Sequence, residues 1–112
     1  MKRLIEIKHV SAKEHVRELI DGLINGLEEK LSRFRGEAMS VHAVFEENGA
    51  HRLYRFALTC HMPGRTVAAH EEAHEPGTVI RAAFAEVERQ LDKYKAVSRQ
   101  ERARKRLGRL QA

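Results

Sequence analysis

Apolar residues along this chain recur with two periods, and the switches between them mark out six elements. From Arg3 to His9 they alternate, Ile5 and Ile7 to one side and Glu6 and Lys8 to the other, which predicts a short, half-buried strand at or near a sheet edge. From Val16 the period lengthens, and Val16, Leu19, Ile20, Leu23, Ile24, Leu27, Leu31 and Phe34 draw one continuous stripe at helical spacing. Ser11 with Glu14 three residues on forms a capping box, so this amphipathic helix is predicted from Ala12 to about Phe34, with Gly36 as its stop. Gly22 and Gly26 lie inside it, where each costs about 1 kcal/mol relative to alanine. They flank the stripe, and close approach of the helix to the sheet or to a second helix accounts for them, a hinge being the alternative.

Three more alternating runs follow. Met39, Val41, Ala43 and Phe45 share one side of the first, after which Asn48-Gly49 offers the residue pair best suited to positive φ in a hairpin turn. Tyr54, Phe56, Leu58, Cys60 and Met62 share one side of the second; beyond Pro63-Gly64 a third run, Arg65 to His74, alternates more weakly. Together they predict an antiparallel meander with one apolar face. Pro76 suits the first turn of a last helix, whose stripe is Ile80, Ala83, Phe84, Val87, Leu91 and Tyr94. Past Tyr94 the stripe gives out while helix-forming residues continue, either as an unsupported arm or as a frayed end. The order β-α-β-β-β-α, with one apolar sheet face and two amphipathic helices to cover it, predicts an α+β fold: a two-layer sandwich of a four-stranded sheet with both helices on one face.

A chain of 112 residues builds one such core and no second. The expected organisation is one domain at residues 1–97 and a basic tail at 98–112. The lone Cys60 excludes an internal disulfide and a cysteine-based zinc site, and on the apolar side beside Leu58 and Met62 it reads as a buried structural thiol. Glu6 and Lys8 interrupt the first apolar run, so neither a signal-peptide core nor a membrane span is expected, and a cytoplasmic location is. Residues 1–75 carry 11 Lys/Arg against 12 Asp/Glu, and residues 76–112 carry 10 against 4, so the net charge is −1 in the first part and +6 in the last third. Segregation of this kind points to a polyanionic partner, nucleic acid first and anionic membrane second.

Between positions 93 and 109, Lys93, Lys95, Arg99, Arg102, Arg104, Lys105, Arg106 and Arg109 face the single acid Glu101. A phosphate backbone is bound by clustered Lys and Arg at no particular spacing, so the run suits RNA or DNA; it equally suits a solvated helix face with a soluble tail. Arg81, Arg89 and Lys93 fall at multiples of four and adjoin the run on one side of the last helix. His42, His51, His61, His70 and His74 lie on or beside the strands, yet no His-x-x-x-His on a helix and no cysteine pattern accompanies them. They read as solvated or RNA-facing groups, and no metal or other cofactor is expected. Ser11, Ser32, Ser40 and Ser98 lack a nucleophile elbow, the glycines form no phosphate loop, and Glu46-Glu47 and Glu71-Glu72 read as exposed strand ends. Neither an enzyme nor a small-molecule substrate is therefore expected.

Two stretches are more specific. Lys30-Leu31-Ser32-Arg33-Phe34 closes the first helix, and Ala82-Ala83-Phe84 with Glu88-Arg89-Gln90-Leu91-Asp92-Lys93-Tyr94-Lys95 closes the second. With the order of elements, they give the chain a resemblance, over about Lys2 to Lys95, to the short form of the ribosome hibernation promoting factor and ribosome-associated inhibitor family. The resemblance implies the same fold and a translation inhibitor of the stress response. Such a protein occupies the messenger and transfer RNA channel of the small ribosomal subunit and grips ribosomal RNA with basic side chains. It implies RNA contacts by Lys30, Arg33, Arg89, Lys93 and Lys95; Arg81, Arg99 and Arg102, from the basic stripe and tail, complete the expected set. The partner expected is the small subunit, with no membrane and a monomer off the ribosome. Where that family has an acid, an aliphatic residue and a tyrosine before the last helix, this chain has Glu75-Pro76-Gly77, so a contact from that tyrosine is not expected. The extra C-terminal domain with which long members pair ribosomes has no counterpart here, and self-driven pairing is not expected. A general double-stranded-RNA-binding module is the competing reading. A protein or membrane-surface adaptor working through the tail ranks last, because no aromatic-rich helix face is free of core duties.

Overall fold

The alternating runs and the two stripes become β1 (Lys2–Lys8), α1 (Lys13–Leu31), β2 (Ser40–Asn48), β3 (Leu53–Met62), β4 (Arg65–Ala73) and α2 (Pro76–Gln111). The computed structural model describes residues 2–8, 13–31, 39–48 and 52–111, with side chains for all of these except residue 13 and residues 94–111. Ser11, Phe34, Gly36, Gly49 and His51, named above, lie outside the described residues. The strands form one sheet in the order β1-β2-β3-β4. β1 runs parallel to β2, and β2, β3 and β4 form an antiparallel meander, so the sheet is mixed. A parallel neighbour cannot be reached by a tight turn, and α1 supplies the crossover between β1 and β2.

Register puts the apolar side chains on one face. Ile5 and Ile7 stand opposite Ala43 and Phe45; Val41, Ala43 and Phe45 stand opposite Cys60, Leu58 and Phe56; Cys60 and Leu58 stand opposite Val67 and Ala69. Ile20, Ile24, Leu27 and Leu31 of α1 and Val79, Ile80, Ala83, Phe84, Val87 and Leu91 of α2 close on that face in a single buried cluster. Among the described residues no polar or charged side chain is buried. Burying each large side chain is worth about 1.5–3 kcal/mol, so this one layer supplies the driving force for the whole slab.

Two turns differ in kind. At Pro63-Gly64 the ladder runs up to Met62 opposite Arg65, and Gly64 has φ 78°, the proline-then-positive-φ combination that a type II turn requires. At Asn48-Gly49 the hairpin forms but the turn is displaced. Asn48 is the last rung of the ladder, opposite Leu53, and the connection is longer than a two-residue turn; Arg52 within it takes φ 47°. That register is the one that keeps Val41, Ala43 and Phe45 on the core face, since a slip by one residue would turn them outward; Gly49 itself lies outside the described residues.

The helical glycines do not serve close approach. Gly22 and Gly26 are exposed, and a Cβ at either would meet nothing within 4 Å. They lie on the side of α1 turned away from Ile20, Ile24 and Leu27, and the helix is continuous through both, so no hinge is seen either. α2 extends rather than frays. Its 36 residues give a rod of about 54 Å, and the molecule measures 65 × 25 × 18 Å. Its radius of gyration of 17.2 Å exceeds the roughly 13 Å of a compact domain this long.

Both sheet edges are tied to helices. On β4, the Ala68 N–H donates to Gln90 Oε1 at 3.3 Å and Gln90 Nε2 donates to the Ala68 carbonyl at 2.9 Å, so one amide covers the free backbone pair of an edge residue. On β1, Arg3 crosses to α1 and bonds Asn25 Oδ1 at 2.7 Å and the Glu28 carboxylate, with Asp21 3.8 Å away. α2 starts cleanly: the Val79 N–H donates to the Glu75 carbonyl at 3.2 Å, the Thr78 hydroxyl donates to the Glu75 carboxylate at 3.4 Å, and Pro76 occupies the first turn.

Gly22→Ala and Gly26→Ala should each stabilise the protein by about 1 kcal/mol, since both sites have room and helical backbone. A lowered midpoint in urea for either variant would contradict the open surroundings described. Gln90→Ala should cost about 1–2 kcal/mol for the two lost bonds to the Ala68 backbone and the one to Glu86, and raise self-association through the bared β4 edge. Chemical denaturation with analytical ultracentrifugation measures both effects.

Candidate nucleic-acid interface

The residues expected to touch RNA come from two helices, and one ion pair shows where they meet. Lys30 stands in the last turn of α1, where a cation complements the helix dipole, and its Nζ lies 3.1 Å from Asp92 Oδ1 on α2. Asp92 directly precedes Lys93 and follows Arg89 by three positions, so the C-terminal end of α1 adjoins the stretch of α2 that holds both. Arg33 lies outside the described residues. Arg81, Arg89 and Lys93 are exposed, within a sector of roughly 120° on the side of α2 away from the core. Lys95, Arg99 and Arg102 continue along the same unbroken helix.

Two of these cations are already engaged. Arg89 grips Glu86 through Nε to Oε2 at 2.9 Å and Nη2 to Oε1 at 2.7 Å, and Gln90 Nε2 donates to the same Oε1 at 3.1 Å. The Arg89 bonds, and after them the Gln90 bond, hold the Glu86 carboxyl at about 2 against an ordinary 4.5, outweighing a smaller desolvation in the other direction. A depressed carboxyl pKa contributes stability that is present above the ordinary range and is lost as pH falls towards 2. Because the pair is exposed, screening keeps that contribution small. Ala68, Gln90, Glu86 and Arg89 thus form a chain of contacts from the β4 edge to the basic face. The local signal for it was in the sequence, since Glu86, Arg89 and Gln90 fall at i, i+3 and i+4. The Lys30–Asp92 pair had no such local signal.

These acids change the charge map of α2. Residues 76–93 hold Arg81, Arg89 and Lys93 against Glu86, Glu88 and Asp92, a balance of zero; residues 94–112 hold seven Lys/Arg against Glu101 alone. The entire +6 of the last third therefore lies beyond the part of the helix that packs on the sheet.

The sheet face opposite the helices carries a second polar array. His42 Nε2 lies 3.3 Å from Glu6 Oε2, Arg55 Nε donates to Glu72 at 3.1 Å, and His61 Nδ1 lies 3.3 Å from the Thr66 hydroxyl. His74 falls just past the end of β4, with its Nδ1 3.2 Å from the Arg52 carbonyl oxygen. Among the described residues no three histidine, cysteine or acidic side chains converge as a metal site would require. Cys60 is buried, and burial pushes its thiol pKa up, away from reactivity.

Residues 4–99 match the family described as Sigma 54 modulation protein / S30EA ribosomal protein. Among solved structures the chain is similar to a ribosomal subunit interface protein from Coxiella burnetii, at 26% identity and a TM-score of 0.64, covering 86% of this chain and 99% of that one. It is also similar to the N-terminal domain of Protein Y from Thermus thermophilus, at 18% identity and a TM-score of 0.66, covering 84% and 99%. At that identity the second likeness bears on fold alone. No curated protein matches the chain. A family match that begins inside β1 and runs past the last buried turn of α2 takes in the whole sandwich, and the chain belongs to the S30EA ribosomal protein family, that of the hibernation promoting factors which its helix ends resemble.

Proposed function

We propose that this protein is a ribosome hibernation factor that binds the small ribosomal subunit in the messenger and transfer RNA channel and stops translation by occupying it. The family match over residues 4–99 carries this reading. The likeness to a ribosomal subunit interface protein from Coxiella burnetii supports it. The mechanism is non-catalytic and needs no cofactor, because a rigid slab in the path of RNA blocks without turnover. Ribosomal RNA places the protein in the cytoplasm, and it acts in the stress response. Residues 1–97 form the ribosome-binding domain, with 98–112 as its basic tail and a monomer as the free state. Lys30, Arg33, Arg81, Arg89, Lys93, Lys95, Arg99 and Arg102 are the RNA contacts in this reading; phosphate contacts of this kind orient the slab without reading sequence.

The internal pairs set the terms of binding. Arg89 must exchange the Glu86 carboxylate for a phosphate, and Lys30 must do the same with Asp92. Exchange of one anion for another is nearly balanced, so these cations favour a site of correct shape over any passing polyanion.

In sedimentation with purified small subunits the protein should pellet at low salt and release as salt rises. A protein that stays in the supernatant even in dilute buffer is not a hibernation factor. Arg89→Ala, Lys93→Ala and Lys95→Ala together should make the slope of log affinity against log salt shallower by about 2–3. Glu86→Gln should do the reverse, freeing Arg89, steepening the slope by about 1 and tightening binding several-fold. An unchanged affinity in Glu86→Gln would place Arg89 away from RNA.

A further inference from the structure

The two parts of α2 are patterned by different rules. Where the helix packs, acids alternate with bases, and Glu86 answers Arg89. Past Leu91, the last buried residue described, the helix backbone continues for 20 residues, about 30 Å, and the alternation stops. Lys95, Arg99, Arg102, Arg106 and Arg109 follow at steps of four, three, four and three, which on a continuous helix puts all five positions on one side over about 21 Å. Each consecutive pair stands at i,i+3 or i,i+4, where like charges repel. A helix patterned for solvent alone intersperses acids on such a face, as the packed part does. A row of neighbouring cations is relieved by a polyanion laid along it.

We infer that residues 95–109 of α2 are a second RNA-binding element, which takes the phosphate backbone of double-stranded RNA along its Lys95–Arg109 stripe, shares Lys95, Arg99 and Arg102 with the contacts proposed above, and binds a duplex whether or not the sandwich is docked. The family match ends at residue 99, so most of this element lies outside it. An unbroken helix sets the five positions in register along one side, where an unstructured segment would have to be ordered on binding. Shape rather than sequence is the feature read, since backbone contacts carry no base information. An anionic membrane is the poorer partner for this row. The residues beside it are Ala96, Ala103, Leu107 and Leu110, with no aromatic among them to enter an interface.

The test uses the full chain and a plain RNA duplex of random sequence. The unsubstituted protein should bind the duplex with a slope of log affinity against log salt of about −4. Replacing Lys95, Arg99, Arg102, Arg106 and Arg109 together by Gln should reduce duplex affinity by about 100-fold at low salt, with the melting transition of the sandwich unchanged. A second variant, Arg104→Gln, removes a charge from the opposite side of the same rod and should weaken binding less per charge removed. Equal loss per charge in the two variants would overturn the stripe. So would duplex binding that survives the five substitutions, or tighter binding to phosphatidylserine-rich vesicles than to the duplex. Failure to bind small subunits would sink the hibernation reading and leave this result standing, because the two are read with different RNAs.

Discussion

Phe56 lies between Phe45 on the neighbouring strand and Phe84 on α2, with ring centroids 6.4 and 5.9 Å away, in the layer that every packed element shares. The sheet is apolar on one face only, and α1 and α2 each bring one stripe, so this contact surface is the single place where all of them can leave water together. Its consequence is that everything charged is displaced outward. The outward groups then take up the remaining duties of a small sandwich: Arg3 holds β1 to α1, Gln90 covers the β4 edge, and Lys30 and Asp92 join the two helices.

The same layer determines where charge can act on a partner. Along the packed half of α2 cations and acids balance, Glu86 holds Arg89 and Asp92 holds Lys30 of α1, so this surface offers shape and position with little net attraction. Leu91 is the last buried residue described, and beyond it eight Lys/Arg stand against Asp92 and Glu101. Long-range attraction and exact placement are different demands, the first met by net charge and the second by a rigid, well-packed surface. In this chain the net charge and the packed surface occupy different lengths of one helix.

The open sheet face is the region about which the chain's pattern had least to say. Alternation told which residues would point away from the core and nothing of their neighbours. His42 meets Glu6 and Arg55 meets Glu72 because β1 lies beside β2 and β4 beside β3. Strand order, and not any local spacing, put those partners within reach.

What the sequence determined by itself were the features that depend on neighbours within a few residues. Period two and period 3.6 identified every element, the Pro63-Gly64 turn, the buried Cys60 and the α+β class, because a side chain's face follows from local backbone geometry. The helix-end stretches pointed to the family for a similar reason, as contiguous residues. What only the tertiary structure decided were relations across long stretches of chain: β1 parallel to β2, the displaced hairpin after Asn48, Gln90 on the Ala68 backbone and Lys30 on Asp92. Gly22 and Gly26 are the instructive reversal. Their spacing suggested a close neighbour, and only the packing of α1 on the sheet, which turns both outward, showed that none is there. Such relations depend on how two faces meet in space, and periodicity along one element does not contain the position of another.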